Sequence, residues 1–335
     1  MGFNYKWWLK DGYPAKGVEP NGLNVFGTFI CGGGSTMGYK LAGYNHIGGV
    51  EWDKQMAEIY QTNHNPKHLF IEDIRAFNQR QDLPFEFYNL DILDGSPPCS
   101  SFSMAGNREK DWGKKKKFRE GQALQQLDDL TFVYCDTIEK LKPKVCLLEN
   151  VKGLITGNGK VYAKQIKNKM EAAGYRVQVF LLNAASMGVP QTRERVFFIG
   201  LKNDYELPLL KLFFSVPAIP FSQVDKTAKN YPDVFKKFTP LYADYWDKTK
   251  PGKAVGKFNS TAKKVIMKLP CNTLTASSNY GLCHAVEKRP LSRNELCLTS
   301  SFPLDYDFKI NEPHYVMGMS VPPVMTAQIA YQIYL

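Results

Sequence analysis

Short apolar runs alternate with longer, mixed polar and apolar stretches along the N-terminal part of the chain. Three of these runs occupy residues 25–29, 47–53 and 145–151. Such runs are typical of buried strands, and strands that alternate with helix-length segments predict a parallel sheet covered by helices. Residues 325–334 have the character of a closing helix. The pattern therefore predicts an α/β protein with a doubly wound sheet.

The alternation stops at about residue 203. Residues 203–302 contain many lysines, aromatic residues and prolines and have no clear helical period. We therefore predict one domain from residues 1–202, completed by residues 303–335, and a second, smaller and mostly β domain from residues 203–302. Residues 1–24 are expected to form an extended arm, to which the sequence assigns no role.

A cysteine follows the apolar run 87–93, which we expect to be a strand. The run leads through Pro97 and Pro98 to Cys99. Each proline ring restricts its own φ and the conformation of the residue before it, so the backbone at Cys99 is expected to be rigid. Open α/β sheets bind ligands at the carboxyl ends of their strands, which makes Cys99 a candidate nucleophile. The alternative is a small buried cysteine in a turn.

Two further segments place charged side chains at the ends of predicted strands. Glu149 lies near the end of the run 145–151, where its carboxyl group could protonate a substrate. Arg193 and Arg195 enter the next apolar run on the same side of a strand, where they can hold an anion or a carbonyl oxygen. Taken alone, the glutamate could instead pair with a surface lysine, and the arginines could cover an apolar edge.

A glycine-rich loop lies between the first predicted strand and the segment that follows it. Gly32, Gly33 and Gly34 would let a ligand approach the backbone closely. The NAD pattern Gly-x-Gly-x-x-Gly fails, because counting from Gly32 places Met37 at its last position. About twenty residues after the glycines comes Glu51, at the spacing at which a carboxylate reaches ribose hydroxyls.

Composition indicates a globular protein without a membrane or export signal. The 335 residues are 44% hydrophobic, which is enough to bury a core in two domains. No apolar run is long enough to span a bilayer and the N-terminus lacks the apolar stretch of a signal peptide, so we expect a cytoplasmic location. The seven cysteines form no Cys-x-x-Cys pair and have no neighbouring histidine at ligand spacing, which predicts neither disulfides nor a metal site.

The net charge of +11 predicts a polyanionic partner, and the charge is unevenly distributed. Residues 203–270 contain twelve lysines and six acidic residues, and residues 248–268 contain seven lysines and no acidic residue. A second basic run covers residues 114–117. A run of charge can also be no more than a solvated surface.

The Pro-Cys loop, the Glu-Asn-Val strand end and the Gln-x-Arg-x-Arg segment occur in the order found in the DNA (cytosine-5) methyltransferase family, which nearly the whole chain resembles. The resemblance implies the doubly wound sheet of S-adenosylmethionine-dependent methyltransferases. It also implies that Cys99 attacks C6 of a flipped-out cytosine and that Glu149 supplies a proton at N3. Arg195, with Arg193 beside it, would contact the O2 side of the base or a flanking phosphate.

The resemblance further implies a binding site for S-adenosylmethionine. Glu51 would bind the ribose, Trp52 would stack on the adenine, and Asp73 would accept from the adenine amino group. The predicted set is Phe29, Gly32, Gly33, Gly34, Glu51, Trp52, Asp73, Ile74 and Pro97. Two residues depart from the family pattern, because Cys31 stands at the first glycine of the loop and Met319 stands where asparagine is usual.

In the family, the interval 203–302 is the target-recognition domain, and the loop after the catalytic cysteine closes over DNA when the base is flipped. The predicted nucleic-acid contacts are Lys114, Lys115, Lys116, Lys253, Lys257, Lys263, Thr273 and Thr275. We expect a monomer of prokaryotic or phage type that methylates cytosine in a specific double-stranded DNA sequence, with a separately acting restriction endonuclease as a partner to test. Methylation of transfer RNA, or DNA binding without catalysis, are the alternatives.

Overall fold

The computed structural model describes residues 2–98, 129–157, 159–206, 208–256, 260–276 and 280–333. Its main sheet has seven strands. They are β1 Asn24–Thr28, β2 Asn45–Val50, β3 His68–Phe70, β4 Ile92–Gly95, β5 Val145–Val151, β6 Tyr175–Asn183 and β7 Glu194–Lys202. The spatial order is β3-β2-β1-β4-β5-β7-β6, with β7 antiparallel to both of its neighbours and the other pairs parallel.

Helices follow most strands of the described chain. The α-helices are α1 Gly34–Leu41, α2 Lys54–His64, α3 Ile74–Gln79, α4 Leu130–Leu141, α5 Gly159–Ala172, α6 Phe221–Ala228, α7 Pro240–Lys248, α8 Arg293–Thr299, α9 Pro313–Met319 and α10 Pro323–Gln332. Short 3-10 helices cover Leu9–Asp11, Phe85–Asn89, Lys152–Ile155, Ala184–Met187 and Asn203–Tyr205, and two short strands are β8 Lys263–Lys264 and β9 Leu282–Cys283. Across the described ranges, no helix is both long and apolar enough to cross a bilayer.

The strands β1, β2, β4, β5 and β7 are buried on both faces of the sheet, as their apolar residues predict, whereas β6 at the edge exposes alternate residues. Successive side chains of a strand point to opposite faces, so Val25 joins one core with Met37 of α1, and Phe26 joins the other. There the Phe26 ring stacks on Phe77 of α3 at 5.6 Å and meets Phe87 edge-on at 4.8 Å. The predicted doubly wound sheet is therefore confirmed.

The strand order places a ligand-binding edge between β1 and β4. From β1 the chain proceeds to β2 and β3 on one side and then returns to β4 on the other. Open α/β sheets bind ligands outside the carboxyl ends of the strands at this reversal. Here those ends lead into the glycine-rich loop and into the Pro97-Pro98 turn.

The predicted strand over residues 87–93 is only half correct. Its first part belongs to the 3-10 helix Phe85–Asn89, and the strand covers Ile92–Gly95. Pro84 precedes the 3-10 turn, whose fully buried Phe87 packs among the rings of the second core. The apolar residue Phe87 therefore reflects packing of a 3-10 helix against the core, and its hydrophobicity alone resembles that of a strand residue.

Residues 203–302 contain more helix than the mostly β prediction allowed. Their described part forms α6, α7 and α8, while β8 and β9 have two residues each. Thr239 caps α7, and Ser292 and Glu295 form a capping box on α8. These local helix-start signals outweighed the β-rich composition that the prediction relied on.

The boundary at residue 203 stays a prediction. A small separate core contains Trp246, Val255, Ala262 and Cys283. However, Leu274 and other apolar residues of this interval belong to the large core that also contains strand β1. The interval is therefore joined to the main sheet by shared apolar packing.

Candidate active site

The Pro-Pro turn is tied directly to the end of β5. The Asn150 side-chain amide donates to the Pro97 carbonyl at 3.2 Å, and the Asn150 Oδ1 accepts from the Val151 backbone N–H at 2.8 Å. The hydrogen bond to Pro97 connects the strand that carries Glu149 to the segment before Cys99. Asn150 is buried, and a buried amide requires such hydrogen-bond partners. Sequence reasoning did not single out Asn150, although its place after Glu149 was the available signal. Cys99 itself lies outside the described residues.

Glu149 and Arg195 form a buried ion pair across β5 and β7. The distance between Arg195 Nε and Glu149 Oε1 is 2.9 Å, and Arg195 Nη1 also donates to the Glu194 carbonyl at 2.8 Å. Burial lowers the pKa of Arg195, and the neighbouring Glu149 carboxylate opposes that shift. The structure therefore brings these two predicted residues together, and Glu149 is paired with an arginine rather than with a surface lysine.

Arg193 is placed differently. Its Nη1 donates to the Leu274 carbonyl and its Nη2 to the Gly318 carbonyl, both at 2.9 Å, and the side chain is buried. Burial, together with Arg195, lowers the pKa of Arg193 well below its ordinary value. Arg193 thus holds two backbone segments together, and its predicted contact with the base or a phosphate stays a prediction.

The glycine-rich loop is held by the carboxylate of Glu51. Glu51 Oε2 accepts from the Cys31 backbone N–H and Oε1 from the Asp53 backbone N–H, both at 2.8 Å. Burial raises the pKa of Glu51 to about 7, although these backbone hydrogen bonds favour the charged form. Each oxygen has a lone pair left for a ligand hydroxyl. The role of Glu51 as a ribose ligand stays a prediction.

The other predicted cofactor residues lie at the same edge of the sheet. Trp52 follows Glu51 and is 43% exposed, so an aromatic face is available to a ligand. Asp73 caps α3 and pairs with Arg75 at 3.1 Å, a partner that the sequence did not predict. Ile74 is buried and packs with Phe29. These positions are compatible with the predicted pocket, and the roles of the residues stay predictions.

The three glycines of the loop are required by the packing of the protein itself. A Cβ on Gly32 would lie 2.5 Å from Val316 Cγ1, and one on Gly34 would lie 2.3 Å from the Val321 carbonyl oxygen. Gly33 has a φ of +78° in the left-handed region and is the N-cap residue that precedes α1. The C-terminal segment thus packs against the loop. Met319 ends α9 within this segment and is 36% exposed.

The predicted nucleic-acid contacts fall into three groups. Lys253 and Lys263 are exposed. Their neighbour Lys264, which was not a predicted contact, is buried with its ammonium 3.4 Å from the centre of the Trp246 ring. Thr273 Oγ1 donates to the Thr192 carbonyl at 2.6 Å. Thr275 Oγ1 is buried and has no hydrogen-bond partner in the described ranges. The remaining predicted contacts, Lys114, Lys115, Lys116 and Lys257, lie outside those ranges.

One group of potential metal ligands lies in the described chain, formed by Asp225, His284 and Glu287. His284 Nδ1 accepts two backbone N–H groups, from Val286 at 3.1 Å and from Glu287 at 2.9 Å. A neutral imidazole whose Nδ1 accepts must carry its proton on Nε2 and cannot ligate a metal there. Lys229 also already bridges the two carboxylates, at 3.0 Å and 3.2 Å. The group is therefore better described as a partly buried network of hydrogen bonds and ion pairs.

The strand order, the covered sheet and the loops at its reversal define an α/β fold of the methyltransferase type. Several solved structures share this fold. A candidate DNA modification methyltransferase encoded within an Escherichia coli prophage has a TM-score of 0.71 at 18% identity, over 93% of this chain and 98% of that one. DNMT2 from Spodoptera frugiperda has a TM-score of 0.64 at 16% identity, over 92% and 98%.

Sequence comparison identifies the family. The sequence model of C-5 cytosine-specific DNA methylases matches residues 23–249. The type II methyltransferase M.Sau96I of Staphylococcus aureus is 30% identical over 328 residues, which cover 89% of this chain and 73% of the relative. M.DdeI of Desulfomicrobium norvegicum is 28% identical over 93% of this chain and 88% of its own length. The chain belongs to the C-5 cytosine-specific DNA methylase family and is a DNA (cytosine-5) methyltransferase.

Proposed function

We propose that the protein transfers a methyl group from S-adenosylmethionine to C5 of a flipped-out cytosine in a specific double-stranded DNA sequence, through covalent attack by Cys99 on C6. The observation that carries the proposal is the link from the buried Glu149–Arg195 pair through Asn150 to the Pro97 carbonyl, two residues before Cys99. This link supports the proposal because it ties the strand end that carries Glu149 to the segment that leads to Cys99.

In the proposed reaction the Cys99 thiolate adds to C6, and the electron pair of the C5–C6 double bond becomes available at C5. Glu149 takes up a proton from solvent and donates it to N3, which neutralises the charge that develops on the ring. C5 takes the methyl group, whose former bonding electron pair stays on the departing sulfur. A base then removes the C5 proton, the returning electron pair expels the Cys99 thiolate, and N3 returns its proton to Glu149. Arg195 orients Glu149 through the ion pair, so that little reorganisation is needed during reaction.

The cofactor side is supported by the fit of the residues present. Glu51 has accepting capacity beyond its two backbone donors, and Trp52, the next residue in sequence, is exposed. Glu51 would hold the ribose, Trp52 the adenine face, and Asp73 the adenine amino group. When bound, S-adenosylmethionine supplies an electrophilic methyl group on a sulfonium.

The biological setting is part of the same proposal. Relatives named type II methyltransferases support a role beside a separately acting restriction endonuclease. We propose that the protein acts as a monomer in the cytoplasm, where it meets double-stranded DNA. The target sequence can be read by sequencing methylated DNA from cells that express the protein.

The covalent step can be trapped. Duplex DNA with 5-fluorocytosine at the target position cannot lose its C5 substituent, so a cofactor-dependent adduct should accumulate, and mass spectrometry should map it to the Cys99 peptide. Cys99→Ser should form no adduct, whereas the control Cys135→Ser, which alters a buried cysteine of α4, should still form it. Methylation by Cys99→Ser at close to the normal rate would show that another group is the nucleophile.

A further inference from the structure

The carbonyl oxygen of Gly32, in the middle of the glycine-rich loop, accepts hydrogen bonds from two buried side chains. The Tyr306 hydroxyl donates to it, and His64 Nε2 lies 3.3 Å from the same oxygen. His64 is the last residue of α2, and Tyr306 lies between α8 and α9. Two elements that are distant in sequence therefore meet at one peptide group of the loop.

The protonation state of His64 follows from its surroundings. Burial, together with Lys40, lowers the pKa of His64 to about 3, so its ring is neutral at physiological pH. A neutral imidazole has one N–H, and only Nε2 faces an acceptor. His64 Nδ1 is buried and has no hydrogen-bond partner in the described ranges. The proton therefore belongs on Nε2, and His64 acts as a neutral donor to Gly32.

The same side chains also fill the space beside the loop. A Cβ on Gly33 would lie 2.1 Å from His64 Nε2, and a Cβ on Gly32 would lie 3.0 Å from the Tyr306 hydroxyl. The loop and its two donors are thus complementary in shape as well as in hydrogen bonding. A side chain at either glycine would displace a donor.

The two donors are fixed to each other by a second contact. The Asn63 side-chain amide donates to the Asp307 carbonyl, and Asn63 Oδ1 accepts from the Asp307 backbone N–H, both at 2.8 Å. Asn63 and Asp307 are the neighbours of His64 and Tyr306 in sequence. This reciprocal pair holds the end of α2 against the C-terminal segment and so holds both donors in place.

We infer that His64 and Tyr306 are positioning residues of the cofactor site, which fix the orientation of the Gly32 peptide group and thereby order the loop for S-adenosylmethionine. The inference rests on the proposed use of that cofactor. Glu51 holds the loop from the other side through the Cys31 N–H. Because the loop backbone between these hydrogen bonds is already ordered, it loses little conformational entropy when the ligand binds.

The test measures the affinity for S-adenosylmethionine by titration calorimetry, together with DNA affinity and the melting temperature. Tyr306→Phe and His64→Leu each remove a donor and leave the Gly32 carbonyl less satisfied. Each should weaken cofactor binding by about 5- to 30-fold, the scale of a lost buried hydrogen bond. His64→Gln keeps a side-chain N–H near the Nε2 position and should bind within about 3-fold of the unchanged protein.

A matched control separates positioning from general stability. The Tyr175 hydroxyl is also buried and donates to a backbone carbonyl, that of Pro143 at 2.7 Å, at the edge of the sheet. Tyr175→Phe should lower the melting temperature without changing cofactor affinity. Cofactor affinity that is unchanged in Tyr306→Phe, or weakened as strongly in Tyr175→Phe, would overturn the inference. Failure of the unchanged protein to bind S-adenosylmethionine would instead overturn the proposed function.

Discussion

At the scale of single residues, the glycine-rich loop carries two side chains at backbone conformations that favour glycine. Phe29 and Cys31 have φ values of +57° and +47°, in the region where a Cβ approaches the neighbouring carbonyl. This explains why glycine suits position 31 in the family pattern. The Cys31 backbone N–H still donates to Glu51, so the cysteine at this position does not break the hydrogen bond that holds the loop.

With Glu51 as the proposed ribose ligand, its raised pKa predicts that cofactor binding is sensitive to pH. Ribose hydroxyls donate to the ionised carboxylate, so affinity for S-adenosylmethionine should increase as the pH rises through about 7. Glu51→Gln should bind the cofactor more weakly at pH 8, by about 1–3 kcal/mol, and should lose most of this pH dependence. Titration calorimetry between pH 6 and pH 8 measures both effects, because this range brackets the expected midpoint of about 7.

Asp94 provides the control for this pH dependence. Burial also raises the pKa of Asp94 to about 7, and Asp94 Oδ1 accepts from the Tyr39 hydroxyl at 3.3 Å. Asp94→Asn should keep the dependence, and a flat profile in this variant would assign the effect to Asp94 instead.

The raised pKa of Glu51 also affects folding stability in the free protein. The folded state binds the Glu51 proton more tightly than the unfolded state does, so this stabilisation is complete below about pH 4.5 and is lost as the pH rises through about 7.

At the scale of elements, the N-terminal arm is hydrogen-bonded to residues 301–305. Trp7 Nε1 donates to the Ser301 carbonyl at 2.9 Å, and the Trp7 carbonyl accepts from the Leu304 backbone N–H at 3.2 Å. The Asp305 carboxylate accepts from the backbone N–H groups of Leu9 and Lys10 at 2.7 Å and 3.0 Å. The arm therefore stabilises the segment that leads to Tyr306.

Trp7 and Trp8 offer a direct comparison within this arm. Trp7 is 8% exposed and belongs to the main core, whereas Trp8 is only partly buried against it. Trp7→Ala should lower the free energy of unfolding by about 3–5 kcal/mol, the usual cost of emptying a buried aromatic site. Trp8→Ala should cost clearly less. Urea denaturation of both variants provides the measurement, and equal losses would contradict an anchoring role specific to Trp7.

At the scale of the whole molecule, the uneven positive charge predicts where DNA lies. Lys253 and Lys263 are exposed on neighbouring backbone segments, since Lys264 N donates to the Lys253 carbonyl at 3.0 Å. Changing both to Gln should weaken binding to all duplexes and reduce the salt dependence of log affinity by about one to two units. Fluorescence anisotropy across a salt series measures the slope. The methylated sequence should not change, because phosphate contacts do not read bases.

The matched control changes the same charge elsewhere. Lys160 and Lys164 are exposed on α5, outside the interval 203–302. Their double change to Gln removes two positive charges and should leave the slope nearly unaltered. If both pairs reduce the slope equally, the effect reflects net charge rather than a DNA-binding surface at Lys253 and Lys263.

Much of this protein can be predicted from its sequence because the relevant signals are local. Apolar runs such as 145–151 indicate strands, and a motif between a strand and a turn lies at the ligand-binding edge once the strands are parallel. The doubly wound sheet and the family followed from these patterns. The mostly β prediction for residues 203–302 was wrong because the caps of α7 and α8, themselves local signals, were not weighed against composition.

The tertiary structure alone decided which side chains share a partner. Arg193 and Arg195 are two residues apart, yet one binds the Leu274 and Gly318 carbonyls and the other pairs with Glu149. Their directions depend on the packing of the 274 and 318 segments, which no local pattern encodes. His64 and Tyr306 are separated by most of the chain and meet at one carbonyl for the same reason. Local sequence determines the elements and their chemistry, whereas long-range packing decides where each donor and charge is directed.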